Sequence, residues 1–186
     1  MIRDVRIVPL EESEYIKPKS MYYVYKGQEK RWDLVEVHDS VAILLVDKEQ
    51  EHFIIVKQLR PSVYLHNGDG HTYELCAGIV DKETSLEQIA KEEIMEECGY
   101  DVPLESIEKI TSFYSSVGFG ASVQTLYFAE VCQDMKKGEG GGIDVEDIEV
   151  VCLPFAEAKA FIYDETKAKT PGIMFAFEWF FSYHMQ

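Results

Sequence analysis

The chain has 186 residues, of which 46% are hydrophobic and 28% charged, and it carries a formal net charge of −16. That length suits one domain with a sizeable core, and the acidity argues against nucleic acid or an anionic membrane as a docking surface, since both demand basic patches. No stretch has the length and freedom from charge of a membrane span, the N-terminus is not a secretory signal, and Cys76, Cys98, Cys132 and Cys152 are scattered with no C-x-x-C pair, so they read as buried reduced thiols of a cytoplasmic protein.

Taken in order, residues 1–40 read as strands and turns: 6–10, 21–25 and 32–38, with Lys26-Gly27-Gln28 as the turn between the last two. Tyr15, Tyr22, Tyr23, Tyr25 and Trp32 make this arm aromatic, and three short strands cannot bury such side chains alone. The arm needs another surface, either the rest of the chain or a second subunit. From residue 41 the pattern turns to buried β structure, with an apolar run at 41–46, a charged turn at 47–51 and a returning strand at 53–56. Arg60 follows, before Pro61 and Tyr64. An arginine at a strand end is either a surface ion pair or a clamp for phosphate. Residues 65–71 read as a surface loop and 72–76 as a strand. These strands are expected to form a mixed sheet whose ends feed a loop and helix at 78–99.

That helix is marked at both ends. Ser85 is a good N-cap with Gln88 completing a capping box, and Gly99 suits the left-handed C′ position. Leu86, Ile89, Ala90, Ile94 and Cys98 make one apolar stripe at helical period. At 3.6 residues per turn Glu93, Glu96 and Glu97 fall within a sector of about 100° that overlaps the edge of this stripe. Carboxylates crowded there repel one another in reduced dielectric, and a divalent cation is the counter-charge that hard oxygen ligands favour, Mg²⁺ or Mn²⁺ before zinc. The bland alternative for so acidic a chain is a solvated helix face.

Beyond the helix, strands are predicted at 107–116 and 124–131. The segment between them holds Gly118 and Gly120, and is either an ordinary hairpin loop or a close approach to a ligand. Residues 136–143, KKGEGGGI, look like the most flexible part of the chain, and acids return from Asp144 to Glu149. A strand ends near 154, and two aromatic-rich helices at 155–163 and 172–185 close the far face. The one division of the chain falls near residue 40, giving an arm of 1–40 and a main domain of 41–186.

The run from Gly78 resembles the Nudix box, G-x5-E-x7-R-E-U-x-E-E-x-G-U with U a bulky apolar residue. Gly78, Glu93, Ile94, Glu96, Glu97, Gly99 and Tyr100 match in register. Thr84 and Glu92 stand where the box has its first glutamate and its arginine, so the cation that orients the box carboxylates is missing from its usual place. The stretches VKQLRPSVY, SSVGFGASVQT and GGGIDVEDIEVVCLP extend the likeness over nearly the whole chain, toward the branch that hydrolyses UDP-sugars and, next, ADP-ribose.

This resemblance implies an α/β fold, an α/β/α sandwich around a mixed β-sheet, with an N-terminal β arm that crosses to a partner in a homodimer. It implies a nucleoside diphosphate sugar as substrate, with Glu93 and Glu97 as principal metal ligands, the Ala77 carbonyl supplementing them and Glu96 as a further ligand or proton acceptor. Asp144 or Glu146 would be the base or a third-metal ligand. Cations neutralise diphosphate oxygens and acidify a water, and a nearby carboxylate takes its proton. A mobile glycine-rich tether would let that carboxylate swing in over bound substrate. Arg60, Tyr64, Gly118 and Gly120 are the candidates for substrate contact, and Tyr22, Tyr23 or Tyr64 could stack on either uracil or adenine. A catalytically weak nucleotide-binding module is the alternative that Thr84 and Glu92 suggest.

Overall fold

An uninterrupted apolar strand can persist only if both faces of its sheet are covered, and this requirement organises the molecule. The computed structural model describes residues 2–13, 16–143 and 146–185. In chain order its elements are β1 (Lys17–Tyr25), β2 (Gln28–Glu36), β3 (Ser40–Asp47), β4 (His52–Leu59), α1 (Pro61–Asn67), β5 (His71–Glu74), β6 (Cys76–Ile79), α2 (Leu86–Glu93), β7 (Glu108–Ser115), β8 (Ser122–Glu130), β9 (Ile148–Pro154), α3 (Phe155–Tyr163) and α4 (Pro171–Tyr183).

β3 alternates its side chains between two cores. Val41, Ile43 and Leu45 pack with Ile89, Ala90, Ile94 and Cys98 on one face. Ala42, Leu44 and Val46 pack with Phe161, Ile173, Phe177 and Phe180 on the other. The second core is largely aromatic, with Phe53 stacked on Phe177 at 4.1 Å between ring centroids and Phe180 edge-on at 5.1 Å. Each such side chain, fully buried, contributes about 1.5–3 kcal/mol. Helices thus flank a mixed seven-stranded sheet on both faces, the α/β/α arrangement that the sequence implies.

The sheet runs β5-β4-β3-β8-β7, with β9 on β4 and β6 on β3. β3 and β8 are parallel and the other pairs antiparallel. β3 pairs with β4 only at Leu45 to Asp47, then changes partner and pairs through Ser40 to Ile43 with β6. β4 meanwhile turns to β5 from Val56 onward. The sheet therefore forks on one side of β3, and the fork opens a cleft.

Several boundaries differ from the sequence reading. Residues 6–10 form no strand: Ile7, Val8 and Leu10 are exposed, and Pro9 has no N–H to offer a neighbour. The hairpin is longer than expected, because β1 and β2 pair without a break from Lys17 opposite Glu36 to Tyr25 opposite Gln28. Part of the predicted loop at 65–71 belongs to α1, which starts with Pro61 in its first turn and ends at Gly68 in left-handed conformation. The strand predicted at 72–76 breaks at Leu75 into β5 and β6.

The β1–β2 hairpin is a separate two-stranded sheet that leaves Met21, Tyr22, Val24, Tyr25 and Trp32 exposed. It is tied to the body where Trp32 Nε1 donates to the Gly118 carbonyl at 3.0 Å and Val35 N–H to the Phe119 carbonyl at 2.7 Å. Tyr15 lies outside the described residues. Of the four free thiols only Cys76 and Cys98 are buried as expected; Cys132 is half-buried and Cys152 exposed, because β9 turns Cys152 outward. Among the described residues, no helix is long and apolar enough to cross a membrane.

Candidate active site

The helix that carries the acidic run begins as the sequence requires, with Ser85 Oγ accepting the Gln88 N–H at 3.1 Å. The second half of the capping box is not made. Gln88 instead donates through Nε2 to Glu92 Oε1 at 3.0 Å, one turn on. From Ile94 to Cys98 the helix widens into a π turn, and Gly99 closes it in left-handed conformation (φ 74°) with its N–H on Ile94 and Met95. Even spacing at 3.6 residues therefore holds only as far as Glu93. Glu96 and Glu97 sit on the wide turn, where Glu97 is 4% exposed while Glu93 and Glu96 are half-buried.

Two neighbouring residues of β6 explain how carboxylates reach the sheet. Gly78, in β6, lies under Glu93 so closely that a Cβ there would stand 2.0 Å from Glu93 Oε1. Beside it, the Ala77 N–H donates to Glu97 Oε2 at 3.0 Å. Burial pushes the Glu97 carboxyl up to about 8, with the charges of Glu93 and Glu146 adding to it. Burial, then the charge of Glu96, pushes Glu93 up to about 7.

The segment 138–142 corrects the picture of a loose tether. Gly138 N–H bonds to the Gly99 carbonyl, Gly141 N–H to Glu97 at 2.9 Å and Gly142 N–H to Glu96 at 3.0 Å. Lys136 Nζ adds a bond to the Cys98 carbonyl at 2.9 Å. The segment is thus a cap that satisfies the last carbonyls of the helix, and at Gly140 a side chain would collide with the Glu97 carbonyl. Past the cap, Glu146 Oε2 accepts the Ile143 N–H at 3.1 Å and returns toward the helix. Asp144 lies outside the described residues.

These elements enclose a cleft of about 450 Å³ at the fork of the sheet. Glu93, Glu96, Glu97 and Glu146 line it together with Ala77, Gly78 and Arg60. Tyr64, Gly118 and Gly120 do not line it: Tyr64 lies on α1, and the Gly118 carbonyl holds the hairpin. Neither Gly118 nor Gly120 has a positive φ or a neighbour that would crowd a side chain.

Arg60 makes an ion pair, one of the two alternatives offered for it. Its Nε and Nη2 donate to Glu74 Oε1 and Oε2, each at 2.8 Å, a bidentate pair in which Glu74 is buried and the guanidinium half-exposed. Among the described residues, Nη1 makes no hydrogen bond at the cleft wall. Sequence spacing could not reveal Glu74 as its partner, since the two meet only because β4 and β5 pair. Ser40, Gln58, Gln124, Asp81 and Lys82 also line the cleft and had not been singled out. For Lys82 the one signal was a cation in the loop between Gly78 and the helix.

Among the described residues, no three carboxylate, thiol or imidazole groups converge closely enough to hold an ion as they stand. The donor set nevertheless fits a hard divalent cation. Burial raises the Glu93 and Glu97 carboxyls, so positive charge beside them would favour their ionised forms, and the four glutamates offer oxygen alone.

The site is thus a mixed sheet between helices, with a glutamate-bearing helix seated over Gly78 of β6. No protein-family model matches the chain. Curated relatives include the uridine diphosphate glucose pyrophosphatase NUDT14 of Bos taurus, 36% identical over 97% of this chain and 95% of its own. The same enzyme of Mus musculus is 35% identical over 91% of this chain and 90% of its own. A GDP-mannose pyrophosphatase of Cronobacter sakazakii is 36% identical over 66% and 65%. The chain belongs to the Nudix hydrolases, in their nucleoside diphosphate sugar pyrophosphatase branch.

Proposed function

We propose that this protein hydrolyses the diphosphate bond of a nucleoside diphosphate sugar, giving a nucleoside monophosphate and a sugar phosphate. The observation that carries the reading is the meeting of Glu93, Glu96, Glu97 and Glu146 in one cleft beside Arg60. Water adds to one phosphorus, the bridging P–O bond breaks, and the proton passes to a carboxylate, Glu146 or Asp144. Mg²⁺, with Mn²⁺ as a substitute, is the cofactor this donor set favours, neutralising diphosphate oxygens and acidifying the attacking water. Glu93, Glu96, Glu97 and the Ala77 carbonyl would hold it. Arg60, through Nη1, would contact the diphosphate.

The β1–β2 arm, residues 1–40, is read as the dimerisation element of a homodimer. Its exposed Tyr22, Val24, Tyr25 and Trp32 support that reading.

The test is a panel of UDP-glucose, GDP-mannose, ADP-glucose, ADP-ribose and free nucleoside triphosphates with Mg²⁺, following phosphate released after phosphatase treatment. Nucleotide sugars should be turned over in preference to triphosphates. A preference for triphosphates, or no metal-dependent turnover, would overturn the assignment.

A further inference from the structure

Two cationic side chains line the cleft, Arg60 and Lys82, against six acids. Arg60 spends its charge on buried Glu74, which engages it with both oxygens. Lys82 is differently held. Its Nζ donates to Glu92 Oε2 at 2.7 Å, and the pair is partly open to solvent, with side chains 50% and 33% exposed. Glu92 is itself fixed from the other side, because Gln88 Nε2 occupies its second oxygen. Lys91, the neighbouring lysine on the helix, is turned to Asp101 at 3.2 Å.

An ion pair this exposed is screened by solvent, so the fold gains little from the contact. What the contact fixes is a place. The chain Ser85, Gln88, Glu92 holds an ammonium at the cleft mouth, within electrostatic reach of Glu93 and Glu96. An ammonium has three N–H groups and Glu92 takes one. The other two suit an oxyanion.

We propose that Lys82 is a phosphate-binding residue of the cleft and that Glu92 is the positioning residue that aims it. This rests on the reading of the cleft as a nucleoside diphosphate sugar site. The substrate's diphosphate must enter a cleft walled by carboxylates, and a lysine held in place from outside the carboxylate cluster attracts it without competing for the cation. Glu92 repels the substrate on its own account, so its contribution runs entirely through Lys82.

The experiment compares wild type with Lys82→Ala, Lys82→Arg, Glu92→Gln and Lys82→Ala/Glu92→Gln. Steady-state kinetics on UDP-glucose at saturating Mg²⁺ are paired with calorimetric titration of its α,β-methylene analogue. Lys82→Ala should raise KM and the analogue's Kd about tenfold, as loss of one charge-assisted hydrogen bond does, with kcat within about threefold. Lys82→Arg should keep most of the affinity. Glu92→Gln should raise KM about threefold in wild type and leave it unchanged or lower it on top of Lys82→Ala, where only its repulsion of the substrate remains. Unchanged affinity in Lys82→Ala, or equal effects of Glu92→Gln in both backgrounds, overturns the inference while turnover by wild type leaves the function standing. A wild type that neither binds the analogue nor hydrolyses the sugar overturns the function first.

Discussion

Glu93 covers Gly78 so closely that the two positions cannot both carry a side chain in their present places. The atom in the way is the carboxylate end of a flexible side chain, not backbone, so Gly78→Ala is relieved by Glu93 swinging aside. The fold should survive with stability within about 1 kcal/mol of wild type. Turnover should fall about 10²-fold from the displaced carboxylate, measured at fixed Mg²⁺. A large loss of melting temperature with intact activity would contradict this.

Gly140 is the opposite case. With φ 73°, its Cβ would stand 2.2 Å from the Glu97 carbonyl, which is backbone and cannot step aside. Gly140→Ala should destabilise the protein by about 1–3 kcal/mol and weaken metal binding as the cap lifts from the helix. Gly118→Ala, with open space around it, serves as the control and should be neutral within about 0.5 kcal/mol. Denaturant melts of the two variants decide the point.

Glu97→Gln should abolish turnover and leave the fold intact, since an amide oxygen can still accept the Ala77 N–H. In metal-free buffer at pH 8 the variant should melt higher than wild type, because a buried charge and its repulsion of Glu93 are both removed. Wild-type turnover at limiting Mg²⁺ in this variant would remove Glu97 from the site.

The pH dependence follows with a definite sign. Glu97 and Glu93 titrate at about 8 and about 7 when folded, against an ordinary value of 4.5. The folded protein therefore keeps protons that the unfolded chain has released, and the stability these groups give is full below pH 4.5 and lost as pH rises through 8. In EDTA the melting temperature should fall from pH 5 to pH 8.5. Added Mg²⁺ should raise it more at pH 8.5 than at pH 6, since the cation displaces those protons. A melting temperature that rises over this range without metal would refute the placement of the two carboxyls.

Assembly provides a further check. The protein should sediment as a dimer, and removal of the arm, residues 1–40, should leave insoluble or inactive material. A soluble, active monomer after truncation would sink the role given to the arm.

What the sequence could tell depended on how local each determinant is. The start of the helix was legible because Ser85 bonds to Gln88, three residues away, and the apolar stripe shows its period directly. The π turn was not legible, since nothing in Ile94 to Cys98 forbids an ordinary α turn and the cap that favours the wider one lies forty residues later. For the same reason KKGEGGGI read as a flexible tether: its N–H groups bond to Glu96, Glu97 and Gly99 and Gly140 fits closely against the Glu97 carbonyl, contacts that no pattern within the segment announces. Gly118 and Gly120 stayed open between a hairpin loop and a ligand contact, because a glycine in a loop looks alike in both, and the bond from Trp32 of the arm to the Gly118 carbonyl is not written in the segment.

The changeover of β3 from β4 to β6 ties catalysis to strand alignment. β6 is only four residues long, and its register sets Gly78 opposite Val41 and Ala77 opposite Ala42. A slip by one position would turn every β6 side chain to the other face and bring a bulkier residue beneath Glu93. A misaligned molecule would thus lose its core packing and its carboxylate geometry in the same step. Enzymatic turnover in this protein is in effect an assay of its own strand alignment, and the recovery of activity after refolding counts the molecules that paired correctly.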